Sequence, residues 1–271
     1  SATPIPRTLS LTLFGDLDIS TIDEMPAGRQ KVATKWLKPE QRDTAYGFIR
    51  KQVEEGRQAF VVCPLVDESE TIESKAATEE YQRLSQDIFP DLSLGLLHGR
   101  MPGKEKDKVM RQFRDGELDI LVTTPVVEVG IDVANATVMM IDGADRFGLA
   151  QLHQFRGRVG RGEHKSYCIL MSDTNSETAK ERLSALARIH DGFQLAEVDL
   201  ELRGPGDFFG TRQSGLPSLK MAHISDRELL ELARNEATML MEEDPDLEQP
   251  EHAAIAAQVA RFVDQASANV A

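Results

Sequence analysis

Four short runs, AFVVCPLV (59–66), DILVTT (119–124), TVMMID (137–142) and KSYCILMS (165–172), are apolar almost without interruption. A strand with one face in water alternates apolar and polar side chains, whereas one that is apolar throughout must be covered on both faces. Such coverage comes from helices that carry the chain between parallel strands, and stretches of helical spacing stand at 77–89 and 103–116. The pattern therefore predicts an α/β fold, a parallel sheet flanked by helices. LSLGLL (92–97) adds a strand, as do the β-rich runs LSLTLFG (9–15), DISTIDEM (18–25) and KVATKWL (31–37). Pro39 introduces a further helix, with Phe48, Ile49 and Val53 on its apolar side and Gly56 at its end.

The 271 residues, 41% of them hydrophobic, are enough for a large core, and no run approaches the ~20 apolar residues of a membrane span. The opening SATPIPRT has neither an initiator Met nor the charged-then-apolar pattern of a secretory leader, so a cytoplasmic protein is expected. Cys63 and Cys168 each sit in an apolar run, where a buried thiol is expected rather than a disulfide or metal ligand. A net charge of −14 argues against a nucleic-acid partner only if it is evenly spread. It is not: residues 1–172 carry −4 and residues 173–271 carry −10, concentrated in EEDPDLEQPE (242–251).

QLHQFRGRVGRG (151–162) gives a helix two faces: Gln154, Arg158 and Arg161 at i, i+4 and i+7, and Leu152, Phe155 and Val159 opposite. Gly157 and Gly160 would each cost roughly 1 kcal/mol in a helix interior, which suggests that another surface approaches the backbone there. Two guanidiniums beside small residues suit a polyanion; a solvated, arginine-rich helix end is the alternative. Ligands of open α/β sheets sit beyond the carboxyl ends of the strands. Polar residues collect there: His98 and Gly99, Thr123 and Thr124, and Asp142. Ordinary turn chemistry would place the same residues.

Beyond 172 the character changes. ETAKERLSALARIH (177–190) is an amphipathic helix with Leu183, Leu186, Ala187 and His190 near one face. In the following residues 192–215, Gly204, Gly206, Gly210 and Gly215 interrupt Arg203, Phe208, Phe209, Arg212 and Gln213, a composition that serves either a nucleic-acid-facing loop or a plain connection. Ser225 with Glu228 forms a capping box for a helix that Asp244-Pro245 stops. A last amphipathic helix groups Ile255, Val259, Phe262 and Val263.

Taken in order, these segments resemble the second RecA-like motor domain of superfamily 2 helicases. Gln154, Gly157, Arg158 and Arg161 match the sixth motif, whose arginines act on the γ-phosphate of ATP bound mainly by another domain. Thr123, Thr124, Glu128, Gly130 and Asp132 match the fifth, whose threonines contact nucleic-acid phosphates and whose Gly–Asp end lies near the nucleotide. His98, Gly99 and Arg100 resemble a phosphate-contacting element, and Ser1, Ala2 and Thr3 the third motif, which links ATP state to the nucleic-acid track. The helix followed by GFxLAExDLExRGPGDxxGxxQSG resembles the translocation motif of RecG-type branch-migration helicases and of the transcription-repair coupling factor. Arg203 and Gln213 stand at its coupling positions, and the continuation at 216–237 favours the RecG type.

The resemblance implies three segments: a motor domain (1–172), a helical hairpin and loop (173–220) and a C-terminal helical segment (221–271). It also implies ATP with Mg²⁺ as the energy source, a monomer, and branched double-stranded DNA, forks and Holliday junctions, as substrate. The chain has no GxxxxGK[ST] loop and no DExx box; GRMPGK (99–104) has three residues between its glycines and Glu105 where Ser or Thr is required. ATP and its metal are therefore expected to be held mainly by an upstream motor domain of the same protein, which would also carry a DNA-splitting wedge domain. No metal site is expected within these residues. The competing reading is a non-enzymatic α/β binding or regulatory domain that shares the fold.

Overall fold

The computed structural model describes residues 30–63, 70–128, 133–203 and 227–268. The strands expected at 9–15 and 18–25 and the cap at Ser225 lie outside them. Six strands, β1 (Ala33–Leu37), β2 (Gln58–Val62), β3 (Leu94–Leu97), β4 (Ile120–Thr123), β5 (Ala136–Ile141) and β6 (Tyr167–Met171), form one sheet in the order β1-β6-β5-β2-β4-β3. Every pairing is parallel. The uninterrupted apolar runs mark the interior strands: β2, β4 and β5 are buried at every residue, while edge strand β1 leaves Ala33 and Lys35 exposed.

Helices α1 (Arg42–Glu54), α2 (Glu70–Arg83), α3 (Gly103–Arg114), α4 (Leu149–Arg156) and α5 (Glu177–Arg188) carry the connections and flank the sheet. On one face Tyr46 and Ile49 of α1 and Leu84 after α2 pack with Val61, Val122, Val138 and Met140. Strand alternation sends Phe60 to the other face, where its ring lies 4.9 Å from that of Phe113 of α3. Burying each such side chain contributes about 1.5–3 kcal/mol. Both cysteines are buried and free, as their apolar surroundings require.

Two arginines fasten the carboxyl edge of the sheet. Arg42 of α1 forms a bidentate pair with Asp142 at 2.7 and 2.8 Å, so this strand-end carboxylate is committed to the framework. Arg182 of α5 donates to the carbonyl oxygens of Phe147 (3.1 Å) and Asp145 (3.2 Å). Helix α5, though it follows residue 172, packs against β1 and α4.

Three more helices follow: α6 (Gly192–Arg203), α7 (Arg227–Glu243) and α8 (Ala253–Ala268). The described residues divide after Leu195 into two compact units, the first holding the sheet. In the second, α7 is followed by Asp244, whose carboxylate accepts from the backbone N–H groups of Glu248 (3.0 Å) and Gln249 (2.9 Å) and pairs with His252 Nδ1 at 2.7 Å. Among the described residues no helix is long and apolar enough to cross a membrane.

Candidate functional site

The arginine segment is not one helix. Helix α4 ends at Arg156; Gly157 is its C-cap, and the chain turns through Gly160 at φ 76°. The i, i+4, i+7 face expected for Gln154, Arg158 and Arg161 therefore does not exist as a helix face. The turn brings the three together by another route, because only glycine takes a left-handed conformation there without strain. Space demands glycine as well: a Cβ on Gly160 would lie 2.9 Å from Val32 Cγ2, and one on Gly162 2.5 Å from the Ala134 carbonyl oxygen. The apolar expectation holds without change, Leu152, Phe155 and Val159 being fully buried.

Gln154, Arg158 and Arg161 line a cavity of about 230 Å³, together with Arg156, Lys31 and His190. Arg161 Nε donates to the Gly157 carbonyl oxygen at 3.1 Å, which sets the base of its side chain against the turn. Lys31 immediately precedes β1, and Gln30 Nε2 ties that entry to the turn through the Glu163 carbonyl oxygen at 3.0 Å. The cavity thus lies at the amino edge of the sheet, opposite the carboxyl edge where strand-end residues were expected to gather ligands.

Arg156 is the residue that sequence reasoning missed. It is 4% exposed, and its Nη1 donates to the carbonyl oxygens of Leu186 and Ile189, both at 2.7 Å. Its Nη2 reaches the His190 carbonyl oxygen at 3.3 Å and lies 3.0 Å from His153 Nδ1. These carbonyls are the C-terminal end of α5, where the helix dipole favours a cation. Burial nevertheless pushes the guanidinium below its usual pKa. The arginine turn and the α5–α6 corner are therefore joined through one buried side chain.

The second group of expected contacts sits at the carboxyl edge. Leu97 and Thr123 are register partners on β3 and β4, and the Thr124 N–H donates to the Leu97 carbonyl oxygen at 3.1 Å, so His98–Arg100 and Thr123–Thr124 are neighbours. Thr123 is fully buried and its hydroxyl donates to the Thr124 carbonyl oxygen at 2.8 Å; Thr124 is 5% exposed. Gly99 and Arg100 are exposed, and the Gly99 carbonyl oxygen accepts from Lys106 Nζ of α3. His98 Nδ1 is buried with no hydrogen-bond partner among the described residues, and burial, Lys106 and Arg100 hold the ring below its usual pKa. A neutral imidazole carries one N–H, and with Nδ1 shut off from solvent any phosphate contact would fall to Nε2.

Gly130, Asp132, Gln213, Ser1, Ala2 and Thr3 lie outside the described residues, as does the Arg203 side chain, although its backbone closes α6. Among the described residues no three His, Cys, Asp or Glu side chains come together to hold a metal.

Comparison with known proteins supplies the family. The helicase conserved C-terminal domain matches residues 40–163, and ATP-dependent DNA helicase RecG, domain 3, C-terminal, matches residues 189–270. The ATP-dependent DNA helicase RecG of Bacillus subtilis is 51% identical over 256 residues, 94% of this chain and 38% of the relative. That of Thermotoga maritima is 51% identical over 237 residues, 87% of this chain and 30% of the relative. A solved structure of RecG bound to a three-way DNA junction is 48% identical, with a TM-score of 0.67 over 85% of this chain and 30% of that one. The chain thus spans about a third of the length of these relatives. With the parallel sheet, the arginine turn and the helices beyond it all within the matched region, the chain belongs to the RecG family of DNA helicases.

Proposed function

We propose that this chain is the second motor half of an ATP-dependent helicase that remodels stalled forks and migrates Holliday junctions. The supporting observation is the convergence of Gln154, Arg158 and Arg161 on one cavity in a chain that has no phosphate-cradling GxxxxGK[ST] loop. Such a half-site stabilises charge on a phosphoryl group that another domain presents. Phosphoryl transfer spreads charge over the equatorial oxygens, and an arginine supplied to it raises the rate on the order of 10³- to 10⁵-fold. Gln154 orients the attacking water or the phosphate end in this reading. Gly130 and Asp132 face the ribose side of the nucleotide. The metal that accompanies ATP would be held by carboxylates of the upstream motor domain, and its positive charge would offset that of the phosphates.

At the opposite edge, His98, Gly99 and Arg100, beside Thr123 and Thr124, follow the phosphates of duplex DNA. Placing nucleotide and DNA groups on opposite edges of one rigid sheet lets closure of the upstream domain on ATP displace the DNA contacts. Arg156 extends that displacement to the α5–α6 corner, and Arg203 and Gln213 pass it on to DNA. Ser1, Ala2 and Thr3 belong to the same coupling path. The enzyme acts as a cytoplasmic monomer beside its own wedge domain.

The test is made in the whole protein, with ATP turnover, fork unwinding and melting temperature measured on the same preparations. Arg203→Ala and Gln213→Ala should lower unwinding per ATP while turnover and melting temperature hold. Unwinding per ATP at the parent value in both variants would remove the coupling role; a parallel fall in every readout would mark the segment as a structural connector.

A further inference from the structure

We propose that the cavity beside the arginine turn binds a free tetrahedral oxyanion, inorganic phosphate in the first instance, and that Lys31 and His190 hold it alongside Arg158 and Arg161. The inference rests on the reading of those two arginines as nucleotide-facing, and it adds two residues from outside the helicase motifs. In a chain of net charge −14, the residues lining this cavity include Lys31, Arg156, Arg158 and Arg161 and not one carboxylate. Arg156 spends its terminal donors on the carbonyl oxygens of the α5 end, so what it gives the cavity is potential rather than contacts. The field is felt at His190: burial, then Arg156 and Lys31, hold the imidazole below its usual pKa.

Size narrows the ligand. Pockets for drug-sized molecules run to ~300–1,000 Å³, and this one is about 230 Å³, room for the phosphate end of a nucleotide and not for its base and sugar. The walls come from three separate segments: the entry to β1 through Lys31, the turn through Arg158 and Arg161, and the corner after α5 through His190. A phosphate held here touches the corner that leads into α6.

The 271-residue chain is titrated with inorganic phosphate at constant ionic strength, with chloride as the control anion, by calorimetry and by the imidazole resonances of His190. Saturable binding in the millimolar range is expected, with a shift of the His190 signal and no such response to chloride. Lys31→Met should weaken binding about tenfold, the loss of one charged hydrogen bond. Lys31→Arg should keep most of the affinity, and both changes are at an exposed position that leaves the melting temperature alone. His190→Ala should weaken binding severalfold. The absence of saturable phosphate binding, or phosphate affinity unchanged in both Lys31→Met and His190→Ala, overturns the inference. Neither result touches the role of Arg158 and Arg161, which fails separately if their alanine variants leave ATP turnover of the whole protein unchanged.

Discussion

Arg156 Nη1 donates to the carbonyl oxygen of Ile189 at 2.7 Å, and this hydrogen bond joins the arginine turn to the end of α5 across 33 residues of sequence. The same nitrogen serves Leu186, so a single guanidinium closes a helix terminus whose carbonyl groups would otherwise be left without donors. Both turn and corner line the cavity, and neither can shift without the other being pulled through this side chain.

Removing the guanidinium should therefore cost both stability and coupling. Arg156→Ala leaves buried carbonyls unsatisfied and should destabilise the domain by about 3 kcal/mol, with Arg156→Lys recovering only part of it because one ammonium cannot reach all the acceptors. Urea denaturation of the 271-residue chain gives the first number. In the whole protein the lysine variant should hydrolyse more ATP per base pair unwound. A midpoint equal to the parent's in both variants would show that the carbonyls find other donors.

Sequence periodicity foretold the sheet because interior strands leave an unbroken apolar signature, as in DILVTT and TVMMID. It misjudged the arginine segment because helical arithmetic also groups Gln154, Arg158 and Arg161, and that arithmetic registers neither the helix end at Arg156 nor the positive φ of Gly160 that turns the chain before Arg161. Arg156 was illegible for a different reason. Its partners are backbone carbonyls 30–34 residues later, and carbonyls leave no mark on a sequence. Thr123 and Thr124 stand at a strand end as expected, yet their side chains are buried and the Thr124 N–H and the Thr123 carbonyl oxygen are committed to Leu97 and Cys63, a commitment that polar residues at a strand end do not announce. Sheet order and the amino-edge position of the cavity depend on crossovers that periodicity does not encode.

The corner after α7 should lose stability in acid. His252, then the Gln249 N–H, hold the Asp244 carboxyl below its ordinary pKa. A carboxyl depressed on folding stabilises above its unfolded pKa of about 3.9 and loses that contribution as pH falls through the lower folded value. Asp244→Ala should thus lower the urea midpoint at pH 7 and lower it less at pH 3, below the unfolded pKa. An effect of equal size at both pH values would assign the residue's role to packing rather than charge.

Duplex binding supplies a check on the carboxyl edge. Arg100→Ala in the whole protein should weaken binding to all duplex sequences alike and reduce the slope of log K against log salt by about 1. His98→Ala should weaken binding with little change in slope, since the ring is held neutral. A slope unchanged in Arg100→Ala would move the phosphate track away from this edge.

The central claim is that Arg158 and Arg161 serve a transition state on ATP that another domain holds. Its most direct measurement is kcat for DNA-stimulated ATP hydrolysis by the whole protein carrying Arg158→Ala or Arg161→Ala, with fork affinity determined on the same samples. The prediction is a fall in kcat on the order of 10³-fold or more, with fork affinity close to the parent value and little rescue by lysine. Parent-like turnover in both folded alanine variants would contradict the account.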